Sequence, residues 1–190
     1  GHSGDRVIIM GLTGAGKSSL VHWLTTGVKA VIHQDYGLVI EPINKDNKSK
    51  VGHGYNSQTT IPLPCQGNTD CYYDCPGLSD TRGLIYTIEN EFYMRKVFAP
   101  STKQETRSPP SKIVIAIESN SLTAERGASF SKLLTQINKF FNNNEEHLQS
   151  VSLVITKSTA TTSDLVKNLL EGKKHEPWAQ WFLNKNGTHK

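Results

Sequence analysis

No apolar run in the chain approaches the length of a secretory h-region or of a membrane-spanning helix, so neither direct membrane insertion nor export is expected and the protein reads as cytoplasmic. Surplus charge is also scarce. A net charge of +4 with scattered lysines is too small and too diffuse to indicate a nucleic-acid partner. Cysteine is rare too: the three thiols, Cys65, Cys71 and Cys75, are odd in number, match no standard zinc spacing and have no paired histidines beside them, which leaves them as reduced structural residues. With 190 residues the chain can bury one substantial core, and a single domain over 4–190 is expected, Gly1-His2-Ser3 reading as a tag remnant.

What is present is concentrated near the start. Gly11-Leu12-Thr13-Gly14-Ala15-Gly16-Lys17-Ser18 fits the phosphate-loop pattern GxxxxGK followed by Ser or Thr, and the apolar run Val7 to Met10 precedes it as a feeding strand. Glycines let backbone N–H groups approach phosphate oxygens, and the positive end of the following helix, Ser19 to Leu24, adds to the attraction. Gly11, Thr13, Gly14, Ala15, Gly16, Lys17, Ser18 and Ser19 are therefore candidate nucleotide-binding residues. Lys17 is placed on the β- and γ-phosphates and Ser18 on Mg²⁺.

Downstream, Gly27 to Pro42 is mixed in character, with a strand-like run at Tyr36 to Ile40. Residues 44–57 carry no apolar periodicity and read as a long exposed loop, a candidate switch beside a phosphate site. The loop closes on Thr59 and Thr60 before a strand-like segment reaching Leu63. One of these threonines is expected to complete the Mg²⁺ shell and sense the γ-phosphate, Thr59 before Thr60. Next, Asp70 to Asp74 reads as a strand ending in an acid, followed by Cys75-Pro76-Gly77. A strand-end aspartate can hold Mg²⁺ through water, and the glycine N–H can approach the γ-phosphate, so Asp74 and Gly77 form the DxxG of a GTPase-type switch. Ser18, Thr59 and Asp74 are thus the candidate metal residues, and Lys17, Thr59 and Gly77 the candidate catalytic ones.

The pairing of GLTGAGKSS with DCPGLSDTRG resembles the septin and immune-associated (GIMAP-like) branch of the translation-factor-related GTPases. The likeness continues through a buried-strand signature at Ser111 to Glu118, through Thr123, Glu125 and Arg126, and through an amphipathic helix carrying Phe130, Leu133, Leu134, Ile137, Phe140 and Phe141. It ends after the strand Val151 to Thr156, covering roughly residues 6 to 160. The resemblance implies an α/β three-layer sandwich with a mainly parallel sheet, a P-loop NTPase domain of GTPase type. It also implies Mg²⁺ and GTP or GDP as cofactors, Thr156 and Lys157 on the base, and a homodimer through the nucleotide face or a protein partner.

Two departures from that pattern carry consequences. Guanine-specific members read the base with an Asn/Thr-Lys-x-Asp turn, but here Thr156-Lys157-Ser158-Thr159 has no acid, and Asp164 is the nearest alternative. An ATP-using phosphohydrolase therefore stays open beside the guanine-specific reading, as does a nucleotide-loaded interaction module with little turnover. Leu78 follows the DxxG where Ras-like switches carry a water-orienting glutamine, which implies slow intrinsic hydrolysis. Elsewhere, Leu84 to Phe98 suits an amphipathic helix facing inward through Ile85, Ile88, Phe92 and Tyr93, and residues 100–110 read as a solvated loop. Residues 165–170 are helical and 177–183 suit a last short helix, so the final strand and helix of a full domain are missing or replaced and the chain reads as a segment of a longer protein.

Overall fold

A computed structural model describes residues 5–35, 37–44, 59–78, 84–98, 112–140, 150–158, 164, 167–168 and 171–172. The chain divides into two compact units, Gly1–Ala116 with Ser150–Val154, and Ile117–Gln149 with Ile155–Lys190.

A mixed sheet organises the first unit. Strand β1 (Arg6–Gly11) lies at its centre because Val7, Ile8, Ile9 and Met10 are all buried, the unalternated pattern of a strand covered on both faces. Burying one such side chain is worth roughly 1.5–3 kcal/mol, so this short run fixes the sheet's position. On one side β1 pairs in parallel with β5 (Cys71–Asp74), in a register that sets Ile9 opposite Asp74. On the other it pairs in parallel with β6 (Lys112–Glu118), setting Gly11 opposite Ala116. The edge strand β4 (Leu63–Gln66) runs antiparallel to β5, and β7 (Val151–Thr156) follows β6, giving the order β4-β5-β1-β6-β7. The architecture is α/β with mostly parallel strands. The strand expected to start at the threonines starts later, at Leu63, directly after Pro62, which lacks the amide donor that a ladder would use.

Helix α1 (Lys17–Thr25) covers the sheet, its Val21 joining Val7, Ile9, Ala15, Cys65 and Ala116 in one cluster edged by Leu20 and Leu24. Trp23, counted with its neighbours as helical apolar sequence, is 63% exposed. The mixed stretch after α1 forms a separate antiparallel hairpin of β2 (Val28–His33) and β3 (Gly37–Pro42), of which the sequence signalled only the second strand. Helix α2 (Leu84–Phe98) occupies the expected residues but with a different face inward. Asn90 and Met94 are buried, whereas Ile88 and Phe92 are exposed and Lys96 covers the Phe92 ring. The i, i+4 pair Asn90/Met94 sits half a turn from the face chosen by hydrophobicity, because a polar residue there has a backbone partner in the site described below.

The second unit contains α3 (Asn120–Thr123), a single 3₁₀ turn over Ala124–Gly127 and α4 (Ala128–Phe140). Its buried face carries Phe130, Leu133, Leu134 and Ile137, as the three-and-four spacing predicts. The Phe140 side chain and Phe141 lie outside the described residues, as do residues 45–58, 99–111 and 177–183, on which the two expected loops and the expected last helix fall. Among the described residues no helix is long and apolar enough to cross a membrane.

Two glycines of the loop after β1 differ in a testable way. Gly11 has φ of +150° and an added Cβ would collide with the carbonyl oxygen of Ala116, whereas Gly14, at φ of +80°, would meet no atom within 4 Å. Gly11→Ala should therefore destabilise the protein by about 1–3 kcal/mol, through backbone strain and a clash with a paired strand. Gly14→Ala should cost about 1 kcal/mol, through the left-handed backbone alone. Equal chemical-denaturation midpoints for the two variants would contradict the close approach of β1 and β6.

Candidate functional site

The loop Gly11–Ser18 takes its shape from glycines in left-handed backbone, with φ of 80° at Gly14 and 75° at Gly16. A turn closed by Ala15 N–H donating to Leu12 O (3.2 Å) folds the loop back, and α1 begins with Leu20 N–H donating to Gly16 O (2.9 Å). The amides around Gly16 and Lys17 stand at a helix start, where backbone N–H groups have no intrahelical partner and favour an anion. Lys17 is buried, and its Nζ donates to Leu12 O at 2.8 Å, which curls the side chain back over its own loop.

The second half of the site comes from the end of β5. Pairing with β1 continues past the strand: Cys75 N–H donates to Ile9 O (3.3 Å) and Leu78 N–H to Gly11 O (3.1 Å), so the DxxG turn is laid directly along the phosphate loop. Gly77 touches that loop. A Cβ on it would lie 2.8 Å from Thr13 N and would clash with the Thr13 hydroxyl, so only glycine fits. On the other side of the turn, Asn90 of α2 donates its amide Nδ2 to Gly77 O at 3.5 Å, a long contact from a buried side chain. Nothing in the sequence singled out Asn90, since it stands between Glu89 and Glu91, and the nearest apolar residues, Ile88 and Phe92, suggested a different face.

Asp74 is fully buried at the point where these segments meet. Its Oδ2 accepts from Ser18 Oγ at 2.7 Å and from Thr59 Oγ1 at 3.3 Å, and the two hydroxyl oxygens are 3.5 Å apart. The structure thus gathers Ser18, Thr59 and Asp74 from three different segments into one set of oxygens. Thr60, the second choice, is exposed. The Ser18 and Thr59 hydroxyl oxygens are spaced on the scale of neighbouring ligands of an octahedral Mg²⁺, which lie about 3 Å apart when each is bound at 2.0–2.1 Å, and Asp74 accepts from both hydroxyls. The donor chemistry fits as well. Two hydroxyls and one carboxylate are hard oxygen donors and too few for a closed cage, and Mg²⁺ usually keeps waters and substrate phosphates in its shell. Among the described residues no cluster of three or more His, Cys, Asp or Glu side chains offers an alternative metal centre.

The thiols have no part in this chemistry. None of them forms a disulfide, Cys65 and Cys75 are buried, and the Cys75 thiol is pushed far up by burial and by the neighbouring Asp74 charge, against a smaller opposing pull from Lys17. Burial also raises Cys71, with Arg6 opposing it. Neutral thiols are neither nucleophiles nor metal ligands.

Thr156 and Lys157 belong to the second unit, at the end of β7. Thr156 Oγ1 donates to Ile117 O (3.2 Å), and Lys157 is exposed, with its Nζ 3.2 Å from Glu118 Oε1. Asp164 is an exposed helical residue, and Thr159 and Arg82 lie outside the described residues.

Comparison with protein-family models gives no match, and comparison with curated protein sequences gives no significant one. Among solved structures, the chain is similar to the signal recognition particle receptor SRβ–GTP/SRX complex from Chaetomium thermophilum, at 16% identity over 91% of this chain and 81% of that one, with a TM-score of 0.45. It is also similar to an Aquifex aeolicus Era variant bound to GDP and AlF4, at 14% identity over 88% of this chain and 56% of that one, with a TM-score of 0.37. Both similarities are remote, and the functional reading rests on the residues above.

Proposed function

We propose that residues 4–190 form a Mg²⁺-dependent guanine-nucleotide-binding domain of the cytoplasm, with slow intrinsic GTP hydrolysis that a second copy or a protein partner stimulates. The observation that carries this reading is the meeting of Ser18, Thr59 and Asp74 beside the phosphate loop. Glycine-rich turns occur by accident, and so do DxxG sequences. A phosphate loop whose serine hydroxyl bonds the DxxG aspartate is a much more specific arrangement.

In this reading Gly11 to Ser19 cradle the phosphates through backbone N–H groups, and Lys17 neutralises β- and γ-phosphate charge. Ser18 and Thr59 are the residues that would hold Mg²⁺, with Asp74 holding it through water, and such an ion would supply charge neutralisation at the phosphates. Gly77, pressed against Thr13, offers its N–H to the γ-phosphate, where a larger residue would push the loop away. Thr156 and Lys157 are assigned to the base by the family resemblance alone. A septin- or GIMAP-like assignment fits the motifs that carry the resemblance. The absence of an acid at Thr159 favours a second reading, an ATP-using phosphohydrolase, and comparing GTP with ATP as competitors separates the two.

Lys17→Ala should abolish nucleotide binding or weaken it at least about a hundredfold in a calorimetric titration, because it removes a charge-assisted contact from a partly desolvated loop. Unchanged affinity would refute the phosphate site.

Turnover follows from Leu78. Its backbone is tied to Gly11 and its side chain has neither donor nor acceptor, so it cannot orient water. The protein alone should bind nucleotide well, hydrolyse it slowly, and gain specific activity as its concentration rises. Multiple-turnover phosphate release across a wide concentration range, run beside Leu78→Gln and Arg82→Ala, checks this. Fast hydrolysis independent of concentration, or rapid turnover restored by Leu78→Gln alone, would contradict a partner-completed site.

A further inference from the structure

Asn90 sits on the inward face of α2, one turn before Met94, and both are buried. Asparagine is a poor helix former, and burying its amide costs free energy unless the polar atoms are bonded, so packing alone does not account for it there. Its Nδ2 donates to Gly77 O at 3.5 Å, a length that adds little stability. What the contact does is fix a peptide group. The Gly77–Leu78 peptide is held at both polar ends: its carbonyl accepts from Asn90, and its N–H, that of Leu78, donates to Gly11 O at 3.1 Å. The last turn of α2 is in turn fastened to β1, where Arg6 Nη2 donates to Val97 O at 3.4 Å. Asn90 therefore reaches the DxxG turn from a helix tied to the same strand that feeds the phosphate loop. All of these residues lie within the first compact unit.

The stretch Cys75-Pro76-Gly77-Leu78 carries three backbone amides, since proline has none. Those of Cys75 and Leu78 donate to Ile9 O and Gly11 O, and among the described residues that of Gly77 donates to no backbone carbonyl. Gly77 is confined as well, with Thr13 N 2.8 Å from where a Cβ would stand and Asn90 on its carbonyl. We propose that Asn90 is a positioning residue for nucleotide selection: by holding the Gly77–Leu78 peptide it keeps the Gly77 N–H where a triphosphate has its γ-phosphate, and so sets the preference for nucleoside triphosphate over diphosphate. This inference rests on the nucleotide-binding reading above, in which the Gly77 N–H faces the γ-phosphate, and adds the side chain that places it. Selectivity is a difference of two affinities. A diphosphate has no oxygen at that point, so misplacing Gly77 weakens one ligand and spares the other.

The test is displacement of a ribose-labelled fluorescent GDP by GDP and by a non-hydrolysable GTP analogue, both with Mg²⁺, on the wild type, Asn90→Leu, Asn90→Asp and Phe92→Ala, with a thermal melt of each and Lys17→Ala as the phosphate-site control. Asn90→Leu keeps a side chain of the same branching and removes the donor. It should lower the affinity of the analogue about tenfold to a hundredfold, the scale of one hydrogen bond to a charged acceptor, and change GDP affinity less than about threefold. Asn90→Asp keeps the shape but turns the donor into a charge that repels Gly77 O, and should lower the analogue-to-GDP ratio at least as far. Phe92→Ala, on the exposed face of the same helix, should keep the wild-type ratio. If one Asn90 variant melts early, the other carries the test. A contact that serves the fold alone would weaken GDP and the analogue alike, or lower the melting temperature with the ratio unmoved; either result overturns the inference alone, as does loss of the ratio in Phe92→Ala. Absence of Lys17-dependent binding of both nucleotides overturns the underlying reading, and this inference with it.

Discussion

The hydrogen bond from the Ser18 hydroxyl to the buried carboxylate of Asp74, 2.7 Å long, is the contact on which the site depends. It joins the first turn of α1 to the end of β5, two segments brought together only because β1 pairs with β5 in a register that sets Ile9 opposite Asp74. Shifting that register by one residue would turn Asp74 to the other face of the sheet and leave a carboxylate among apolar side chains. Thr59 reaches the same oxygen from a third segment. The three residues meet because the sheet's hydrophobic pattern fixes the strands: Asp74 ends β5, Ser18 stands in the first turn of α1 after β1, and Thr59 precedes the antiparallel β4, all at the edge of the sheet where open α/β sheets place ligands.

The arrangement also explains why small residues crowd the region. Gly11 lies against the Ala116 carbonyl and Gly77 against Thr13, so the backbones of the phosphate loop, β6 and the DxxG turn approach more closely than side chains allow. Close backbone approach makes N–H groups rather than side chains the main lining of the site, which suits a ligand that is mostly phosphate oxygen. Lys17 then supplies a localised positive charge in a chain whose overall charge is small.

How much of this could be read beforehand depended on the length scale of each signal. The phosphate loop, β1, β6, β7 and the buried face of α4 were legible because each is a contiguous pattern whose period states its environment. Ser18, Thr59 and Asp74 were each expected at a metal from their motifs, whereas the register that brings them together is visible only in the fold. The inward face of α2 was misjudged because Asn90 is buried for its contact with Gly77 O, and hydrophobicity cannot weigh a partner distant in sequence. The hairpin of β2 and β3 was half missed, since Lys29 and His33 dilute the apolar signal of its first strand.

The central claim is that Ser18 and Asp74 act as one metal-dependent unit on a bound nucleoside triphosphate. A double-mutant cycle tests it most directly, measuring the affinity of a non-hydrolysable GTP analogue for the wild type, Ser18→Ala, Asp74→Asn and the double variant, each with Mg²⁺ and with chelator. The account predicts that each single change removes most of the Mg²⁺ dependence and that the double change costs little more than either, a coupling of about 1–3 kcal/mol that vanishes in chelator. Additive losses, or equal coupling with and without Mg²⁺, would show that the Ser18–Asp74 bond serves the fold alone and would contradict the account.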